Sequence, residues 1–253
     1  MISLTDFSIG FGNKVLLDKI STDFRSGTLT ALIGRNGAGK STLLSAICGL
    51  NTDYSGEIFI EGKNLRELSS SSLSRLLAFV HTKRPHISNM KCRDIVGLGR
   101  TPYTNWIGQL SETDNHLIDE ALNYVGMQSF SNRKMDSLSD GEAQRIMVAR
   151  AIAQDTPVIV LDEPTSFLDL PTRFELGELL KGLAHQKNKT ILFSTHELDI
   201  ALEMSDNIAL INDGNLYNLP VDEMKKSGLI QKLFKSSASF ITRLMDSYKF
   251  NDL

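Results

Sequence analysis

The run Gly34-Arg35-Asn36-Gly37-Ala38-Gly39-Lys40-Ser41-Thr42 has the spacing GxxxxGK[ST], with an apolar stretch on either side. Glycines at these places let successive backbone N–H groups turn inward on phosphate oxygens. The N-terminus of the helix that follows adds its dipole, and Lys40 reaches the outer phosphates. The Ser41 hydroxyl is placed for Mg²⁺. Far downstream, Val158-Ile159-Val160-Leu161 runs into Asp162-Glu163. Carboxylates at the C-terminal end of a buried parallel strand stand where ligands bind in open α/β sheets. Asp162 is expected to hold Mg²⁺, directly or through a water, and Glu163 to polarise an attacking water. The competing reading is that the pair merely caps the next helix. His196, within Ser194-Thr195-His196-Glu197, follows a second apolar strand and lies in line to contact a terminal phosphate. His81, His86, His116 and His185 lack that context and read as surface or packing residues.

A second short glycine motif, Leu138-Ser139-Asp140-Gly141-Glu142, lies just upstream of the acidic strand. Together with the phosphate loop it points to an ATPase that works as a pair. Ser139 or Asp140 as a plain helix N-cap is compatible with that role.

These groups need a scaffold, and the pattern supplies one. Residues 4–11, 20–24 and 29–33 read as strands, with Gly12-Asn13 and Ser26-Gly27 as turns. A helix at 40–50, a strand at 56–60, a tight turn at Glu61-Gly62-Lys63-Asn64 and a strand at 77–80 follow. From about 82 to 153 the periodicity is helical, clearest at 114–125 and 142–153. Strand and helix then alternate: strands at 158–161, 191–194 and 208–211, helices at 171–184 and 198–204. Such alternation implies parallel strands with helical crossovers. Residues 221–252 read as helical, and the serine run at 69–72 as a loop or helix start.

The 253 residues, 41% of them hydrophobic, suffice for one domain with an inserted or appended subdomain. A net charge of −3 gives no sign of the positive excess of a nucleic-acid binder. The two cysteines, Cys48 and Cys92, stand singly, without zinc or disulfide spacing. The first residues lack a basic region followed by an apolar one, and no window nears eighteen apolar residues. Any membrane role is expected to come through a partner.

The chain resembles the ATP-binding subunits of ABC transporters from Phe7 to about Leu219. Five motifs carry the resemblance in the family's order: the phosphate loop, the 138–142 signature, Asp162-Glu163, Ser166-Phe167-Leu168-Asp169, and His196. It implies a RecA-like P-loop core of α/β class, an antiparallel β subdomain and an inserted helical subdomain. The ABC ATPase domain is expected over 1–220, its helical subdomain at about 82–153, and a C-terminal helical extension at 221–253. The resemblance further implies two subunits head-to-tail around two ATP molecules with Mg²⁺, the 166–169 loop facing the dimer partner. Phe11 matches the aromatic that stacks on adenine, with core packing as its alternative. Ser139 and Gly141, with the helix from Glu142, would contact ATP held by the opposite subunit. Val96-Gly97-Leu98-Gly99-Arg100-Thr101-Pro102-Tyr103 looks like importers of ferric siderophores, haem or cobalamin. These imply permease subunits, indirectly a substrate-binding protein, no nucleic acid, and a peripheral place on the cytoplasmic membrane face.

Two departures from the family pattern stand out. Thr82 occupies the place of a glutamine that touches Mg²⁺ and the attacking water. Asp140 and Glu142 replace the usual glycine and glutamine of the signature, with Asp140 expected to point outward. Two other readings remain open at this level: a soluble ABC-type regulator of ribosomes or DNA, and a hydrolysis-impaired interaction subunit.

Overall fold

Alternating apolar residues build the first sheet. In the computed structural model, which describes residues 1–12, 14–82, 89–166 and 168–233, β1 (Ile2–Phe11) pairs antiparallel with β2 (Lys14–Phe24). Ile2 and Leu4 are buried, then Phe7 and Ile9. The extra step between Leu4 and Phe7 would turn the second pair outward, but a bulge restores the inward face. Asp6 takes the left-handed φ of 47° there. Opposite it stands Gly56, where a Cβ would fall 2.3 Å from the Asp6 carbonyl oxygen, so only glycine fits.

Next come β3 (Leu29–Gly34), α1 (Lys40–Ile47), β4 (Tyr54–Ile60), β5 (Lys63–Asn64), α2 (Ser70–Leu73) and β6 (Leu77–Val80). Helix α1 stops three residues before the expected end, because Gly49 turns left-handed behind Cys48. The serine run opens α2, with the Ser69 hydroxyl capping it. Helices α3 (Cys92–Gly97), α4 (Glu112–Tyr124) and α5 (Asp140–Ala153) follow, with a 3₁₀ turn at Leu98–Tyr103. Both long helices begin two residues before the periodicity does, because Ser111 and Ser139 close capping boxes. The chain continues through β7 (Val158–Leu161), α6 (Leu170–Lys187), β8 (Thr190–Ser194), α7 (Leu198–Met204), β9 (Asn207–Asn212), β10 (Asn215–Pro220), α8 (Val221–Lys226) and α9 (Leu229–Leu233). Asn13, 83–88, Phe167 and 234–253 lie outside the described residues; the expectations had placed there a turn, part of the helical block, part of the dimer-facing loop and most of the C-terminal helix.

The strands form a four-stranded antiparallel sheet, β2-β1-β4-β5, and a six-stranded sheet, β10-β9-β3-β8-β7-β6. In the second, β6, β7, β8, β3 and β9 are mutually parallel, and β10 returns antiparallel on β9. Residues of one strand alternate between two cores. Val158 and Val160 join Leu43, Leu44 and Ile47 of α1 and the antiparallel sheet, while Ile159 and Leu161 face the helices of the other side. Burial on both faces explains why these strands read as unbroken apolar runs. β10 had no such signature, being half-exposed along its length.

A buried ion pair ties the helical insertion together. Arg100 Nε donates to Asp114 Oδ1 at 2.7 Å, and Arg100 Nη1 to the Ala153 carbonyl at 2.9 Å. The Tyr103 ring covers the guanidinium at 4.0 Å. One side chain thus joins the start of α4 to the end of α5.

Candidate functional site

Four adjacent parallel strands deliver the sequence-selected residues to one sheet edge. β3 runs into the phosphate loop, β7 into Asp162-Glu163, β8 toward His196 and β6 toward Thr82. That edge is the carboxyl end of the strands, where an α/β sheet exposes backbone and accepts ligands.

The Ala38 amide donates to the Arg35 carbonyl at 3.0 Å, closing the loop's turn. Gly39 caps α1 with φ 108°, and a Cβ there would lie 3.1 Å from Leu16 Cβ. Lys40 is 7% exposed, and its Nζ donates to the Gly34 carbonyl at 3.0 Å. Burial lowers its pKa, opposed by the carboxylates of Glu163 and Asp162. A cleft of ≈ 530 Å³ opens above, lined by Asn36, Gly37, Gly39, Lys40, Ser41 and Thr42 on one side and by Phe11, Lys14, Leu16 and Glu163 around them. Phe11 is 80% exposed at its mouth, so core packing does not account for it. Arg35 and Ala38 line a neighbouring groove on the other side of the loop.

Asp162 is 6% exposed. Its Oδ1 accepts from Ser194 Oγ at 2.6 Å and from Ser41 Oγ at 3.1 Å, joining three elements. Glu163 stands in the left-handed region at φ 48°, its amide donating to Ser194 Oγ at 2.9 Å. Its Oε2 accepts from Ser166 Oγ at 3.0 Å, and its Oε1 lies 3.8 Å from His196 Nδ1. The loop behind is tied by Glu197, which accepts from Thr165 Oγ1 at 2.7 Å and pairs with Arg173. Thr82 Oγ1 donates to the Asp162 carbonyl at 2.8 Å, so it bonds to the strand backbone and not to a carboxylate.

Ser139, Gly141 and Glu142 do not line this cleft. Ser139 Oγ accepts from the Glu142 amide at 3.3 Å, while Glu142 Oε2 accepts from the Ser139 amide at 2.8 Å. The bond from Ser139 lowers the Glu142 pKa. Asp140 is exposed. Sequence reasoning did not single out Lys14 or Leu16; it named Ser166 only as part of the dimer-facing loop and Ser194 only as the context of His196. Ser194 carried one signal, a hydroxyl residue ending an otherwise apolar buried strand beside the acidic one.

A family model for ABC transporters matches residues 17–166. The petrobactin import ATP-binding protein of Bacillus subtilis is 34% identical over 235 residues, 92% of each chain. Among solved structures, a metal-chelate type ABC transporter in an inward-facing conformation matches with a TM-score of 0.81 and 28% identity, over 92% of this chain and 88% of its own. The dimeric ATP-binding cassette MJ0796, in a post-hydrolysis state with ADP and Pi, matches with a TM-score of 0.75 and 26% identity, over 87% and 99% respectively.

Proposed function

We infer that this chain, which belongs to the ABC transporter family of ATP-binding proteins, drives import of a metal-chelate cargo through a separate permease. It is an ATPase with the RecA-like ABC fold. The cargo class, an iron-siderophore, haem or cobalamin, is supported by the petrobactin-importing relative and the metal-chelate transporter. The observation that carries the reading is geometric. The α5 N-terminus, capped by Ser139 and exposed there, stands apart from the lining of the cleft that Gly37, Lys40 and Glu163 share, which supports reading one chain as two half-sites. A second copy, turned head-to-tail, brings its α5 N-terminus to the γ-phosphate and completes each.

In that arrangement Phe11 stacks on adenine, and the 34–42 loop with Lys40 holds the phosphates. Mg²⁺ fits the donor set. Ser41 Oγ and Asp162 Oδ1 are hard oxygens 3.1 Å apart, a pair suited to share an ion with nucleotide phosphates. Held by Ser41 and Asp162, such an ion would supply positive charge to offset that of the nucleotide phosphates. Thr82, whose hydroxyl donates to the Asp162 carbonyl, would support that ion through the strand end that carries Asp162. Glu163 takes a proton from a water as the water oxygen bonds to the γ-phosphorus. The bond to the β–γ bridging oxygen breaks, leaving ADP and phosphate. His196 contacts the γ-phosphate beside Glu163, and Lys40 with the loop amides stabilises the developing charge.

The dimer closes on ATP and opens after hydrolysis, moving the permease on the cytoplasmic face of the membrane. A substrate-binding protein feeds that permease from the far side. We take 1–220 as the ATPase domain, 82–153 as its helical subdomain, and 221–253 as an extension. Replacing Glu163 by Gln tests the core of this reading. Hydrolysis is expected to fall about 10²- to 10⁴-fold while ATP binding persists. Size-exclusion chromatography with ATP should then show a trapped dimer. Hydrolysis at the unmutated rate would remove Glu163 from the role of base.

A further inference from the structure

Ser194 ends β8 with no exposed surface. Its main chain is already served, since β8 pairs with β3 through Ser194 and the Thr195 amide continues the ladder to the Leu32 carbonyl. The side chain is therefore free for other work. It donates its one proton to Asp162 Oδ1 at 2.6 Å and accepts the Glu163 amide at 2.9 Å. A hydroxyl has one donor and two lone pairs, so these two bonds fix its rotor.

Both partners are the acidic residues on the neighbouring strand. Asp162 Oδ1 is held between two hydroxyls, Ser41 at 3.1 Å and Ser194. Glu163 leaves the strand in the left-handed region at φ 48°, a sparsely populated conformation for a residue with a side chain. The Ser194 hydroxyl anchors the amide at the root of that bend.

We infer that Ser194 is a positioning residue of the hydrolytic site: it sets the direction of the Asp162 carboxylate and the departure of Glu163 from β7. The inference rests on the roles given above to Asp162 and Glu163. Ser194 touches neither nucleotide nor water; it acts through the two acids. Without its hydroxyl the Glu163 amide loses this partner, and Asp162 Oδ1 keeps only the Ser41 bond.

The test combines steady-state ATPase kinetics, thermal unfolding and metal binding. Ser194→Ala is expected to lower kcat about 10- to 100-fold, the cost of misplacing a reacting group by a fraction of an ångström to an ångström. The KM for ATP should stay within about twofold, because the phosphate loop is untouched. Ser194→Thr, which keeps a hydroxyl, should recover most of kcat. Independently of turnover, Mn²⁺ binding to the ATP-loaded Glu163→Gln protein, read by electron paramagnetic resonance, should weaken when Ser194→Ala is added. If Ser194→Ala does not fold, Ser194→Cys, with its weak donor, replaces it and should show an intermediate kcat.

Unchanged kcat and Mn²⁺ affinity in a folded Ser194→Ala protein would overturn the inference. So would equal losses in Ser194→Ala and Ser194→Thr with unaltered Mn²⁺ binding, which would mark a packing role. Full hydrolysis by Glu163→Gln would instead overturn the assignment of Glu163, and the Mn²⁺ measurement would then decide the Ser194–Asp162 link by itself.

Discussion

Replacing Asp114 by Asn should destabilise this protein more than any comparable change on its surface. Arg100 and Asp114 are 6% and 5% exposed, and Arg100 has no other carboxylate to turn to among its hydrogen-bond partners. Hydrogen bonds from the Ser111 hydroxyl and amide, then from Arg100, lower the Asp114 pKa from 3.8 to about 2. At roughly 1.4 kcal/mol per pKa unit, that shift corresponds to about 2 kcal/mol of stability. Removing the charge also strands a buried guanidinium, and breaking such a pair costs about 3–5 kcal/mol. For a chain of this size the apparent Tm should fall by about 6–20 °C, at roughly 2–4 °C per kcal/mol. The pH arm has a fixed sign. A depressed carboxylate pKa contributes stability above the unfolded value of 3.8 and loses it as pH falls toward about 2. The gap between the unmutated protein and Asp114→Asn should therefore narrow as the pH falls from about 4 to 2. Calorimetry or fluorescence-monitored unfolding at stepped pH measures both. A Tm loss of only a degree or two at neutral pH, or a gap that ignores pH below 4, would refute the argument.

Two further outcomes follow from the cleft. Phe11→Ala should leave stability within about 0.5 kcal/mol, as expected of an exposed position, yet raise the KM for ATP about tenfold through lost base stacking; an unchanged KM would remove Phe11 from the nucleotide site. Gly39→Ala places a side chain at φ 108° against Leu16, so nucleotide binding by calorimetry should weaken at least about tenfold, and undiminished affinity would show that the loop tolerates the strain.

The sheet edge that gathers the candidate residues was legible because its parts are local. A glycine spacing, an acidic pair after four apolar residues, and a histidine two places beyond another strand are each readable in a short window. Parallel strands buried on both faces announce themselves as apolar runs, which is why 77–80 and 158–161 were bounded correctly. What escaped was whatever depends on neighbours distant in sequence. β10 has no apolar face of its own and exists because β9 offers it an edge. Ser194 meets Asp162 across 32 residues of chain, and Arg100 acquires its role only when α4 and α5 close on it. Helix starts were missed by two residues for a different reason: hydrophobic periodicity begins with the first buried residue, whereas a capping box begins the helix earlier.

The departures from the family pattern look, in sequence, like added negative charge around a nucleotide. Geometry assigns them local uses. The Glu142 carboxylate bonds back to the Ser139 amide, so its charge is satisfied by the helix N-terminus it caps, and its pKa is lowered accordingly. Glutamine at that place can make the same bond without the charge, so the capped shape of the signature does not depend on which of the two is present. Thr82 donates to the Asp162 carbonyl and spends its proton at the end of the strand that carries Asp162. The charged side chains that line the cleft are then Lys14, Lys40 and Glu163, with Asp162 beside Lys40, so cationic groups face the place a phosphate would take. Neither substitution takes away Lys40, Asp162, Glu163 or His196, the residues that argue against a silent interaction subunit.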